Sequence, residues 1–160
     1  MSEPSRKAHL VLIGGGTCSG KTTIAKAIGR RIAKLKTVII SHDNYYRDLA
    51  HLDLSERAEV NFDHPDSIDR EYLVQDLKKM MAGEAVNVPD YDFSTHSRNE
   101  GKLCIAGADV IILEGIFALF IRTCWSYPIS RYIWIQIRTS AWHDVCSGTS
   151  WNADATLKAC

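Results

Sequence analysis

The chain predicts an α/β fold, a parallel sheet flanked by helices, and three observations carry that prediction. The apolar run Leu10-Val11-Leu12-Ile13 leads straight into Gly15-Gly16-Thr17-Cys18-Ser19-Gly20-Lys21-Thr22-Thr23. Apolar residues then recur at Ile24, Ile28, Ile32 and Leu35, which is helical spacing. Two further short apolar runs, Thr37–Ser41 and Asp109–Gly115, have the length and β-branched content of buried parallel strands. Strand, Gly-rich turn, helix and strand in that order give a sheet of the P-loop NTPase type.

The first element to justify is the turn from Gly15 to Thr23. A loop that closes on phosphate needs consecutive N–H groups pointing into one concavity, which residues without Cβ permit. Lys21 then reaches the β- and γ-phosphates, and the Thr22 hydroxyl is offered to Mg²⁺. The helix that follows adds its N-terminal dipole to the anion site. Cys18 reads as a small residue that fits the loop, since phosphoryl transfer from a nucleotide needs no thiol.

The second strand, Thr37–Ser41, ends at His42-Asp43-Asn44-Tyr45-Tyr46-Arg47. Ligands of open α/β sheets bind outside the carboxyl ends of the strands, so Asp43 is expected in the crevice of the phosphate loop. Residues 48–66 are polar and mixed, and Pro65 disfavours helix before it. A helix is predicted from about Asp69 to Met81, capped by Asp66 or Ser67 and stopped by Gly83. The alternation Val86–Phe93, a polar turn from Ser94 to Gly101 and the run Lys102–Ile105 predict a β-hairpin insertion, placed at an edge by Pro89. The third strand of the main sheet, Asp109–Gly115, carries the carboxylate Glu114 at its end.

Composition bounds the function. A length of 160 residues suits one domain, and no repeat or linker divides it. Nineteen Lys and Arg balance nineteen Asp and Glu, so no charge footprint for nucleic acid or an anionic membrane is present. No apolar run approaches the length of a membrane span, and the polar start Met1–Lys7 is unlike a secretory leader. Five cysteines, Cys18, Cys104, Cys124, Cys146 and Cys160, form no Cys-x-x-Cys pair and read as free thiols of a reducing cytoplasm. The histidines show no ligand spacing, which argues against zinc.

Phosphoryl transfer asks for a triphosphate cradle, a metal, a group that positions or deprotonates the acceptor, and cations that offset charge. The loop is the cradle. Thr22 and Glu114 can complete a Mg²⁺ shell, which takes few carboxylates; the alternative for Glu114 is a solvated strand end. Asp43 can accept the acceptor's proton, or it can be an Asx-turn or helix cap. Tyr45, Tyr46, Phe62, Tyr91 and Phe93 supply aromatic faces near the loops for a nucleobase, although such residues also build cores.

These segments together resemble the uridine kinase (uridine-cytidine kinase) family of P-loop kinases. The resemblance rests on Gly15 to Thr23, on Ser41 to Arg47, on Asn61-Phe62-Asp63-His64-Pro65-Asp66 with Val88 to Arg98, and on Val110 to Ile116. It covers residues 8 to about 120. It implies transfer of the γ-phosphate of ATP or GTP to the 5′-hydroxyl of uridine or cytidine, giving UMP or CMP in cytoplasmic pyrimidine salvage. By the same resemblance Asp43 is the base, Asp63 binds the ribose hydroxyls, Tyr91 and His96 contact the nucleobase, and Glu114 assists Mg²⁺. Phe62, Phe93 and Tyr46 line the substrate site, and the assembly is a homotetramer. Related branches act on other small acceptors, as phosphoribulokinase and pantothenate kinase do.

Residues 121–160 depart from the family pattern. Arg131–Thr139 reads as the next strand, but Ser140–Trp151 lacks the Leu-Ala-Arg-Arg-like run whose arginines form the family's lid. Read one base later, Ser147-Gly148-Thr149-Ser150-Trp151 can encode that run, so the tail is expected to be frameshifted or mis-spliced. Arg122, Arg131 and Arg138 are the remaining candidates for the missing charge. The expectation is a single, incomplete kinase domain; the alternative to an active nucleoside kinase is a chain that binds nucleotide and turns over weakly.

Overall fold

A computed structural model of the chain describes residues 8–121 and 132–137. The main sheet has four parallel strands: β1 (His9–Gly15), β2 (Thr37–Ser41), β5 (Val110–Gly115) and β6 (Tyr132–Ile137), in the order β2-β5-β1-β6. The strand expected within Arg131–Thr139 is therefore present, paired with β1 on the side away from β5. Side chains alternate across the sheet, as a strand's period of two requires. Val11, Ile13, Val110 and Ile112 pack with Ala25 and the partly buried Ile24 and Ile28 of helix α1 (Lys21–Arg31) and with Ile32 just beyond it. Leu10, Leu12, Ile111 and Leu113 face the other way, into the larger core of helix α3 (Arg70–Met81) and the hairpin. Every residue of β5 is buried, in keeping with its unbroken apolar run.

The hairpin consists of β3 (Val86–Asp92) and β4 (Ser97–Ile105), antiparallel, with a register shift at Pro89 where a ladder donor is missing. Its turn is shorter than expected. Residues 97–101 belong to β4, because backbone pairing of Ser97, Arg98 and Asn99 with Asp92, Tyr91 and Asp90 outweighs the polar composition of that stretch.

Two expectations about helices are corrected. The cap of α3 is Asp69, whose carboxylate accepts from the Tyr72 N–H at 3.2 Å, and neither Asp66 nor Ser67 serves. Ser67 is instead buried, its hydroxyl donating to the carbonyls of Phe62 and His64. The polar stretch before Pro65 contains a short helix, α2 (Leu54–Ala58), closed by a capping box between Asp53 and Glu56. Gly83 does stop α3, in the left-handed region at φ 85°. The tail beyond Ile137 and the arginines at 122, 131 and 138 lie outside the described residues.

Candidate active site

The phosphate loop leaves β1 at Gly15 and enters α1 through Gly20, which takes φ 84° at the helix N-cap. The other left-handed residue of the loop is Cys18 at φ 58°, so the strain falls on a non-glycine that the sequence reading treated only as a small filler. Gly15 is needed for closeness rather than for φ. A Cβ there would meet the Ile137 carbonyl and the Ser19 hydroxyl, each at 2.8 Å. The loop is closed by the Ser19 N–H donating to Gly16 O at 3.2 Å and by Lys21 Nζ donating to the same carbonyl at 2.6 Å. Gly16, Thr17 and Cys18 are exposed along the rim, as are Thr22 and Thr23 on the first turn of α1.

Glu114 reaches this loop from β5. It is buried, and its Oε1 accepts from the Thr22 hydroxyl at 3.0 Å. It is thus not a solvated strand end. A hydroxyl and a carboxylate brought together at a phosphate loop are hard oxygen donors of the kind Mg²⁺ takes, and they fit that ion. No group of three or more His, Cys, Asp or Glu side chains that could form a closed metal cage occurs among the described residues.

Asp43 lies at the end of β2, in the first turn of a 3-10 segment, His42–Tyr45. The cap of that segment is Ser41, whose hydroxyl accepts from the Asp43 N–H at 3.3 Å, so the Asp43 carboxylate is not spent on capping. Its Oδ1 lies 2.6 Å from Nδ1 of His42, a residue buried to 1% exposure. The imidazole Nε2 accepts from the Phe117 N–H at 2.8 Å. In sequence, His42 shows only that it lacks metal-ligand spacing. Nothing in a linear pattern tells that Phe117 and Gly115 will meet it, 75 and 73 residues along.

The acceptor side is aromatic. Tyr46 stands at its centre, with ring centroids 5.1 Å from Phe62, 5.3 Å from Tyr91 and 6.3 Å from Phe93. His96 stacks on Phe62 at 5.0 Å and 20°. Burial, then the nearby charges of Asp43 and Asp63, push the Tyr46 phenol up to about 12. Asp63 itself is exposed. Two buried polar atoms here, Tyr91 Oη and His96 Nδ1, have no partner among the described residues. An unpaired buried polar atom costs about 1–3 kcal/mol, so such a pair marks a place where a polar ligand would be welcome. Phe93 is exposed at the mouth. Tyr46 and Tyr91 are themselves buried in the same core cluster as Tyr45, with Phe62 packed against it; the Tyr45 hydroxyl donates to Asp76 at 3.2 Å.

Arg98 and Arg57 hold this wall in place, and the sequence reading assigned neither a role. The Arg98 guanidinium donates to the Tyr46 carbonyl at 2.6 Å, lies 3.6 Å from the Asp69 carboxylate, and sits 5.0 Å over the Tyr72 ring. Arg57 on α2 donates to the carbonyls of Thr95, Ala50 and Leu52. That helix exists to fasten the hairpin turn carrying His96. Asp53 four residues before Arg57, with Glu56 to close the box, is the signal that could have located it.

Fold and loop together define a P-loop kinase-type α/β protein. The profile of the Phosphoribulokinase / Uridine kinase family matches residues 10–152. The chain belongs to that family. The match runs beyond residue 120, further than the motif resemblance. Among similar curated proteins is the uridine kinase of Chloroflexus aggregans, 43% identical over 111 residues, which are 69% of this chain and 53% of that one. The uridine kinase of Staphylococcus haemolyticus is 40% identical over 114 residues, 71% of this chain and 55% of that one. The chain thus spans about half the length of the curated relatives it matches. Among solved structures, a candidate fructose transport system kinase from Silicibacter sp. TM1040 superposes with TM-score 0.63 at 17% identity, over 94% of this chain and 78% of that one. A possible uridine kinase from Bacillus stearothermophilus gives TM-score 0.56 at 17% identity, over 89% and 78%. These two likenesses bear on fold alone. Among the described residues no helix is long and apolar enough to cross a membrane.

Proposed function

We propose that this chain carries the donor and acceptor sites of one uridine/cytidine kinase domain, moving the γ-phosphate of ATP or GTP to the nucleoside 5′-hydroxyl. The observation that carries the reading is the juxtaposition of Asp43, at the sheet edge of the loop crevice, with the aromatic wall of Tyr46, Phe62, Tyr91, Phe93 and His96. The backbone N–H groups from Gly15 to Thr23 hold the phosphates, and Lys21 leaves the Gly16 carbonyl for the β- and γ-oxygens. Thr22 and Glu114 would hold Mg²⁺, which when bound offsets phosphate charge. Asp43 takes the hydroxyl proton as that oxygen bonds to the γ-phosphorus and the bond to the β–γ bridging oxygen breaks. Asp63 accepts both ribose hydroxyls, so that a deoxyribose would leave a polar acceptor unpaired. Tyr91 Oη and His96 Nδ1 read the polar edge of the pyrimidine. The domain works in the cytoplasm as a homotetramer.

A second reading is favoured by the sequence of Ser140–Trp151, which lacks the Leu-Ala-Arg-Arg-like run. The chain then binds nucleotide but turns over weakly, since arginines of that kind are worth on the order of 10³-fold or more. A coupled ADP-release assay with uridine, cytidine, pantothenate and ribulose 5-phosphate separates these readings, beside melting curves with and without ATP·Mg²⁺. Saturation at a hundredfold excess over Kd should stabilise the fold by about 2.7 kcal/mol. Release with uridine or cytidine, abolished in Asp43→Asn, supports the first reading. A raised melting temperature without release supports the second, and no shift in melting rejects both.

A further inference from the structure

We infer that His42 is the positioning residue for Asp43, an inference that rests on reading Asp43 as the proton acceptor. A neutral imidazole has one N–H and one lone pair. Nε2 accepts from the Phe117 N–H, so the ring proton is on Nδ1, the nitrogen that lies 2.6 Å from Asp43 Oδ1. Nδ1 and Oδ1 are both buried, and neither has a well-aligned hydrogen-bond partner among the described residues. Their own approach is close but bent, and each has no other group to turn to.

The ring cannot swing away. It stacks on Phe117 at 5.8 Å and 13°, meets the edge of Tyr46 at 6.3 Å, and rests on Gly115, where a Cβ would lie 2.4 Å from its carbons. Held there, it occupies Oδ1 and leaves Oδ2, on a side chain 38% exposed, to receive the hydroxyl proton. The same ring grips the backbone three residues beyond Glu114. One imidazole therefore sets the acceptor-side carboxylate against the strand that carries the Thr22–Glu114 pair.

Asparagine places its amide N–H near the position of Nδ1, and glutamine reaches the position of Nε2. The two variants therefore divide the ring's contacts. Nitrogen-15 NMR of the full chain should show the His42 proton on Nδ1, with that resonance moving in Asp43→Asn. A proton on Nε2, or a ring indifferent to Asp43→Asn, overturns the inference and requires no turnover to be seen. In single-turnover phosphorylation of uridine, His42→Asn should stay within a few fold of wild type. His42→Gln should slow about 10²-fold at unchanged KM for ATP, the scale of a misplaced reacting group. A His42→Gln variant as fast as wild type, with Asp43→Asn inactive, removes the positioning role alone. An Asp43→Asn variant at the wild-type rate removes the reading of Asp43 as base, and the role of His42 with it.

Discussion

A single missing Cβ decides whether His42 can lie where it does. In Gly115→Ala the new carbon would press on an imidazole already fixed by Phe117 on one face and by a backbone hydrogen bond at Nε2, so neither partner yields easily. Overpacking of this kind costs about 1–3 kcal/mol. The expected result is a lower urea midpoint with an unchanged m-value. An alanine variant as stable as wild type would show that the ring has another place to go. The residue scale is also where sequence reading reached furthest and then stopped. The positions of Lys21, Thr22, Asp43 and Glu114 were legible because each follows from a place in a motif or at a strand end. Contacts of His42, Gly115 and Arg98 span tens of residues, and no local pattern encodes them.

At the scale of elements, α3 presents the cleanest test. Its N-terminal N–H groups are met by Asp69, which also faces Arg98, the residue that fastens β4 to the Tyr46 backbone. Asp69→Ala should cost about 1 kcal/mol in stability measured by denaturant unfolding, and Asp69→Asn should recover most of it, since asparagine caps equally well. Equal losses in both variants would shift the weight from the cap to the charge facing Arg98. The position of α3 was predicted to within a residue because apolar spacing and Gly83 bracket it. Its cap was misassigned because Asp66, Ser67 and Asp69 are all good caps, and only burial of Ser67 and the path of the chain after Pro65 choose among them. The helix α2 was hidden for a related reason: it is short, it buries none of its own residues, and it is held by Arg57 reaching carbonyls elsewhere.

At the scale of the whole molecule, a pH-dependent pair lies outside the site. Asp76 on α3 is buried against the Tyr45 hydroxyl, and burial raises its carboxyl above the ordinary 3.8 more than Tyr45, Lys79 and Arg98 lower it. A folded-state value above the unfolded one means that the native chain holds the extra proton. Its contribution is complete below 3.8 and is lost as pH rises through the higher folded value. Asp76→Asn keeps an acceptor for Tyr45 and cannot ionise. Its melting temperature relative to wild type should therefore improve as pH climbs from about 4 toward neutrality, and a constant difference across that range would contradict the assignment. By itself the sequence determined the parallel α/β sheet, the phosphate loop, the hairpin and the family, because each is written in local spacing: apolar periods, a Gly-rich turn, strand ends. Only the tertiary structure decided that β5 lies between β1 and β2, that Glu114 meets Thr22, and that His42 stands between Asp43 and Phe117. Those are packing outcomes, set by which buried faces fit together, and a chain read in one dimension does not contain them.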